Sequence, residues 1–313
     1  MIKRLQEKVG KLLREKKVAL VIGYEMAGDG ISTTPCFIER EDEVERLVWN
    51  EHCVYNLSRY LIETRELASS PSPKIGVVAK GCDVKSIIGL IQENQIKRDE
   101  VVIIGMECEG QFDVEGERQF KVEGLKLKDK DKDKDKEGKL LEKCKACEVH
   151  IPKVYDLLIK DDRNSGAPEP QSPEVNAYAQ VEELEGKSQE ERWQYWKKEF
   201  ARCIKCYACR QVCPLCFCPQ CIADQTLPQW ISPSPSLKGN TTWNIVRAFH
   251  LAGRCIDCGE CERACPMKIP LRKINKKLGK EIKEMFDYEA GLDSEAKPPL
   301  ADFKLEDPEE FIR

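Results

Sequence analysis

Two stretches of this chain repeat one pattern, C-x2-C-x2-C-x3-C-P: Cys203, Cys206, Cys209, Cys213 and Pro214, then Cys255, Cys258, Cys261, Cys265 and Pro266. Two-residue spacers let a tight loop wrap three thiolates around one face of a cuboidal iron–sulfur cage, while the fourth cysteine opens a helix that points away and serves a second cage. The spacing therefore predicts two 4Fe-4S clusters with crossed ligands. Cys203, Cys206, Cys209 and Cys265 would hold the first, and Cys255, Cys258, Cys261 and Cys213 the second. Structural zinc prefers two C-x2-C pairs around a tetrahedron and has no use for a third spaced cysteine or the proline after the fourth.

The chain has 17 cysteines in 313 residues, a length at which two cores can be buried without disulfide staples. Its first residues, MIKRLQEKVGKLLREKK, form a basic amphipathic stretch, and the apolar run VALVIGY that follows is too short for a secretory h-region. A reducing, cytoplasmic compartment is the expectation, with the cysteines serving as ligands. Nowhere do 18 apolar residues run together, so no membrane span is expected. The formal net charge of −4 offers no basic excess for nucleic acid. No Ser/His/Asp or Cys/His set points to hydrolysis.

Residues 1–160 alternate in period between helix and strand: a helix at 3–16, strands at 18–24, 74–79 and 101–106, a helix from about 41 to 67, and another over VKSIIGLIQENQ. This pattern predicts an α/β domain with a mostly parallel sheet. The SSPSP turn at 69–73 separates helix from strand, and the sign-alternating KLKDKDKDKDKEGK at 126–139 reads as a solvated loop. Residues 161–187, rich in Pro, Ser and acid at their start, are expected to form a linker. Helices at about 188–202, 241–253 and 270–286 then make 188–286 a mainly α domain, followed by a tail at 287–313.

The remaining cysteines divide into three groups. LCFCPQC supplies Cys216, Cys218 and Cys221 directly after the first run, and these suit either a further metal site or small apolar fillers beside the clusters. Cys82 in KGCD and Cys108 in IGMECEG each follow a strand, and strand ends on one side of a parallel sheet are where α/β folds assemble sites. Cys144 and Cys147, in EKCKACEVH, would complete four thiolates, for which zinc and iron–sulfur chemistry both qualify. Cys36 and Cys53 read as buried thiols, and His52, His150 and His250 as structural. The aromatics around 193–249, among them Trp193, Trp196, Tyr207 and Trp243, read as core and cluster shielding.

The long, helix-bearing gap between CIKCYACRQVCP and CIDCGECERACP resembles the alpha-helical ferredoxin fold of succinate dehydrogenase and fumarate reductase iron–sulfur subunits and of the heterodisulfide reductase C protein, over roughly residues 190–285. The segments carrying Cys82, Cys108, Cys144 and Cys147, over roughly 74–158, resemble the beta subunit of deazaflavin-reducing hydrogenases and formate dehydrogenases. That resemblance implies a third 4Fe-4S cluster on those four cysteines. It also raises FAD, although no G-x-G-x-x-G fingerprint or other flavin segment is found. Together they imply an electron-transfer subunit of a cytoplasmic anaerobic oxidoreductase complex, working with catalytic and electron-accepting subunits or a soluble ferredoxin, and carrying out transfer rather than bond-making. The alternatives are a flavin-dependent reductase of deazaflavin or NAD, and a redox-sensing module with zinc on the N-terminal cysteines.

Overall fold

The computed structural model describes residues 1–64, 74–112, 140–161, 176–299, 301–303 and 305. The SSPSP turn, the KDKDK run and most of the expected linker lie outside the described residues. The chain divides into two compact units, Met1–Val84 with Ile96–Val175 and Lys85–Gln95 with Asn176–Arg313.

In the first unit, α1 (Ile2–Arg14) buries Leu5, Val9, Leu12 and Leu13, the stripe that its helical period places on one face. A five-stranded sheet follows, ordered β2-β1-β3-β4-β5. Strands β1 (Val18–Met26), β3 (Lys74–Ala79), β4 (Val101–Met106) and β5 (Leu157–Ile159) run parallel, and β2 (Thr33–Ile38) pairs antiparallel with β1 on the edge. Strand β4 is buried along its whole length and β3 along all but its first residue, as strands covered on both faces require. Ala79 of β3 pairs with Gly105 of β4, so the carboxyl ends of these neighbours open side by side.

The helix expected from 41 to 67 is not formed over its described part. A 3-10 turn spans Glu41–Arg46, and α2 is confined to Arg59–Glu63. Between them two asparagines bond locally and outcompete the helix. Asn50 Oδ1 accepts the His52 amide at 2.9 Å, and Asn56 Oδ1 accepts the Ser58 amide at 3.2 Å. Strands β2 and β5 also arise where no strand was expected. The first ends in FI and contains Pro35, which an edge position tolerates.

The boundary between units falls inside α3 (Gly81–Gln92), after Val84. Within the second unit, Gln92 donates to the carbonyls of Asp293 and Ala296 at 2.8 and 2.6 Å, and Glu93 pairs with Arg254 at 2.6 Å. The start of the C-terminal segment is thereby held on residues 85–95.

Helix α4 (Glu142–Lys145) belongs to the first unit, and the helices that follow it belong to the second. Helix α5 (Ala179–Glu185) forms at the end of the segment read as linker, burying Val181 and Leu184 three residues apart. Helix α6 (Gln189–Ala201) starts at a capping box: the Glu191 amide donates to Ser188 Oγ at 3.3 Å and the Ser188 amide donates to Glu191 Oε2 at 2.8 Å. Helix α7 (Ala208–Gln211) lies in the first cysteine run and α9 (Glu260–Arg263) in the second. Between them α8 (Leu237–His250) begins at a Ser236 cap, four residues before the expected start, with the Gly239 amide 3.2 Å from Ser236 Oγ. Helix α10 (Leu271–Phe286) follows Pro270. Among the described residues no helix is long and apolar enough to cross a membrane.

Candidate metal centres

The two cysteine runs share one backbone device. Lys205 and Tyr207 in the first run, and Asp257 and Gly259 at the matching positions of the second, all have left-handed backbone, with φ of 52°, 58°, 60° and 71°. Three of these are not glycine, and each holds a conformation that L side chains avoid by about 1–2 kcal/mol. Alternation of left- and right-handed residues curls the chain so that successive amides turn inward and form a nest for an anion. The strain is thus placed where a thiolate-bound cluster needs it, at the same two points of both loops.

Around the first loop the second unit forms a small, partly open pocket whose lining includes Cys203, Cys206, Cys209 and Cys265. Three of these thiols come from the first run, and the fourth comes from the end of the second. Trp243, Ile269 and Leu271 are buried beside them in the same apolar cluster, against which Tyr207 packs. Tyr207 meets Trp243 edge-on at 5.2 Å between ring centres. The indole Nε1–H of Trp243 is buried and has no partner, an orphaned donor on a residue that lines the cavity. A sulfur-rich anion in this space suits both the thiols and the donor, so the residues present fit a cluster.

Cys213 is linked electrostatically to two thiols of the second run. Its charge acts on both Cys255 and Cys261, across the runs, while Cys209 feels Cys203, Cys265 and Cys206. The Cys216 thiol bonds to Cys213 and holds it below the usual thiol range, against burial, whereas the same contact and burial push Cys216 up. Burial pushes Cys209 to about 11 and Cys255 to about 12. Such thiols keep their protons until a metal displaces them. Donors already face two sulfurs: Asn275 Nδ2 lies 3.7 Å from Cys261 Sγ and the Ile269 amide 3.5 Å from Cys265 Sγ. Cys218 is exposed, and Arg210 donates to its carbonyl at 3.0 Å, while Cys221 packs against the apolar cluster.

In the first unit, Cys82 lies in the first turn of α3 beyond β3, and Cys108 lies just beyond β4. The Gln111 amide donates to Cys144 Sγ at 3.3 Å, and Gln111 Nε2 donates to Cys108 Sγ at 3.3 Å, so one buried glutamine spans two thiols. The Cys147 amide donates to the Cys144 carbonyl at 3.3 Å, and the Cys108 amide donates to the His150 carbonyl at 2.9 Å. His150 Nδ1 also lies 3.0 Å from the Cys108 carbonyl, which gives this histidine a positioning part. Burial pushes the Cys82 and Cys144 thiols up, and Cys108 is an electrostatic neighbour of both. Cys36 and Cys53 are fully buried, and burial raises them to about 12 and about 11.

Gly81 makes this assembly sterically admissible. A Cβ there would stand 2.1 Å from the Val149 carbonyl oxygen, so the backbone carrying Cys147 and His150 rests directly on the start of α3. Gly81→Ala must push that backbone away, at a cost of about 1–3 kcal/mol by analogy with overpacked cores. A clear drop in the thermal unfolding midpoint is expected, and an unchanged midpoint would refute the tight approach.

Beside Cys82 and Cys108 lies a buried ion pair that sequence reading missed. Lys80 Nζ is 3.0 Å from Asp83 Oδ2, and both side chains are almost wholly enclosed. Lys80 also donates to the Tyr55 carbonyl at 2.8 Å and bonds the Tyr24 hydroxyl. Burial alone would lower the lysine pKa, but the Asp83 carboxylate overrides it and holds the group cationic. The signal was present in KGCD, a lysine and an aspartate three apart on either side of the cysteine.

Among the described residues no three His, Cys, Asp or Glu side chains converge as they would on a single metal ion. Ligands of a cuboidal cluster each bind a different iron and stand around a cage rather than a point, so the two arrangements differ in geometry.

Residues 202–270 match the family described as 4Fe-4S dicluster domain, which takes in both cysteine runs. The chain is an iron–sulfur electron-transfer protein. It is 29% identical to the F420-dependent formate dehydrogenase subunit beta of Methanocaldococcus jannaschii, over 92% of this chain and 91% of the relative. It is 26% identical to the F420-dependent formate dehydrogenase 1 subunit beta of Methanococcus maripaludis, over 90% of this chain and 88% of the relative. The resemblance to dehydrogenase beta subunits, drawn from four cysteines of the N-terminal part, thus extends over nine tenths of the chain.

Proposed function

We propose that this chain is the electron-transfer subunit of a cytoplasmic, anaerobic formate dehydrogenase-type complex. It carries two 4Fe-4S clusters in an alpha-helical ferredoxin domain at 188–286 and a third in an α/β domain at 1–160. Crossed ligation is the working arrangement, with Cys203, Cys206, Cys209 and Cys265 on one cluster and Cys255, Cys258, Cys261 and Cys213 on the other. The observation that carries it is the cavity lined by the first of these sets, a combination of thiols that sequence neighbours alone would not produce. Cys82, Cys108, Cys144 and Cys147 hold the third cluster, supported by Gln111 spanning two of these thiols and by the buried Lys80 beside two of them.

When bound, the clusters supply one-electron transfer without bond making. The chain's own residues hold the thiols in place and keep water out. Trp243, Tyr207 and Leu271 shield the first site, and N–H donors such as Ile269 and Asn275 face cysteine sulfurs, where hydrogen bonding tunes potential. Both relatives bear F420 dependence in their names, which favours, as a second reading, a flavin-dependent reductase of a deazaflavin.

The test is the content of iron, acid-labile sulfide, zinc and flavin per chain in protein purified without oxygen. About 12 irons without flavin is the expected result for three clusters. About 8 irons with one zinc would turn the N-terminal cysteines into a structural site. Stoichiometric FAD at any iron content would establish the second reading.

A further inference from the structure

We propose that Arg247 is a counter-charge shared by the two clusters of the dicluster domain, holding both reduction potentials above the values they would have without it. The proposal rests on the crossed ligation above.

Arg247 lies on α8 one helical turn after Trp243, on the same face, and is only 5% exposed. Its Nη2 donates to the Cys209 carbonyl at 2.9 Å, while its Nε is buried without a partner. Other arginines of this unit face carboxylates: Arg210 with Asp224, Arg254 with Glu93, Arg263 with Glu260, and Arg272 with Asp257. Arg247 is the most enclosed of these and faces none among the described residues. A buried guanidinium with no anion is strongly unfavourable, because one carbonyl bond does not repay the hydration it loses. The ionisable groups nearest it are sulfurs, Cys213, Cys216, Cys261 and Cys209, and Cys209 and Cys261 share one apolar cluster with Trp243, a turn before it. Cys209 belongs to one proposed ligand set, and Cys213 and Cys261 belong to the other.

The missing anion is therefore supplied by the clusters themselves. A 4Fe-4S core with four thiolates is a net anion, and reduction adds one electron from the donor with no bond made or broken. Arg247 keeps its proton throughout. A fixed positive charge favours the more negative, reduced form, and net charge and hydrogen bonds to sulfur are among the determinants of these potentials. The unpartnered Nε–H is a donor of the kind that bonds a cluster sulfur. Because one guanidinium stands by both sets, it also offsets the repulsion between two reduced clusters.

The experiment is a redox titration followed by electron paramagnetic resonance on full-length, anaerobically purified protein, comparing the unsubstituted chain with Arg247→Gln and Arg247→Lys. In Arg247→Gln the ratio of reduced to oxidised cluster at a fixed potential is expected to fall at least about tenfold at both clusters, a downward shift of about 59 mV for one electron. Arg247→Lys, which keeps the charge, is expected to stay near the unsubstituted protein. No shift in Arg247→Gln, a shift at one cluster only, or equal shifts in both variants would each overturn the proposal. If Arg247→Gln does not retain its iron, the unsubstituted protein labelled with 15N-arginine decides. Nitrogen coupling to both reduced clusters is expected in electron–nuclear double resonance, and its absence overturns the proposal. Iron content of the unsubstituted chain separates the two levels: fewer than about 8 irons removes the two-cluster reading itself, whereas full loading without the shift removes only the role of Arg247.

Discussion

Cys213→Ser is expected to strip about four irons from the chain, and to strip them from the site formed by Cys255, Cys258 and Cys261 rather than from the run in which Cys213 lies. The reason is spatial. The Cys213 charge acts on Cys255 and Cys261, while the cavity around Cys203, Cys206 and Cys209 takes its fourth thiol from Cys265. Cys265→Ser should do the converse and spare the Cys255 site. The Cys216 thiol bonds to Cys213, so a Cys213→Ser, Cys216→Ser double variant removes a neighbour able to take its place. Iron analysis and the paramagnetic resonance of the remaining reduced cluster read the outcome. If Cys213→Ser empties the Cys203 site instead, the crossed ligation is wrong.

Asp83→Asn should be the most damaging single change in the first unit. Asp83 accepts the Leu57 amide at 2.9 Å and the Lys80 amide at 2.8 Å while pairing with Lys80 Nζ, all out of water. The amide keeps the shape but turns a donor toward donors and leaves Lys80 a buried cation. Breaking a buried pair from one side costs about 3–5 kcal/mol, roughly 10 °C in the unfolding midpoint of a unit this size. Lys80→Met is expected to cost less, because Asp83 retains its two backbone donors. Thermal unfolding of both variants settles the order, and an Asp83→Asn protein as stable as the parent would show that the pair is not closed from water.

The parallel strands were legible because their residues announce them. VALVIGY, KIGVVA and VVIIGM are apolar on both faces, and each lies within or coincides with a strand of the sheet. Capped helices were legible for a similar reason, since Ser188 and Glu191 form their box from neighbouring residues. The helix read into 41–67 failed where Asn50 and Asn56 turned the chain locally, a choice a hydrophobic period does not register. Strand β5 is only three residues long, and pairing with Ile104, Gly105 and Met106 makes it a strand more than its own sequence does.

The same division runs through the candidate sites. The identity and number of the thiols, their two-residue spacing and the iron–sulfur chemistry that follows were determined by the sequence, because loop length alone limits what three nearby cysteines can wrap. Burial and charge pairing were not. The crossing of Cys265 into the first set was already implied by the repeated spacing, and only the tertiary structure placed Lys80 beside Asp83 and two thiols, and Arg247 beside sulfurs of both runs without a carboxylate. Spacing along a chain is a local property that covalent geometry carries, whereas the environment of a charge depends on which distant segments exclude water from it.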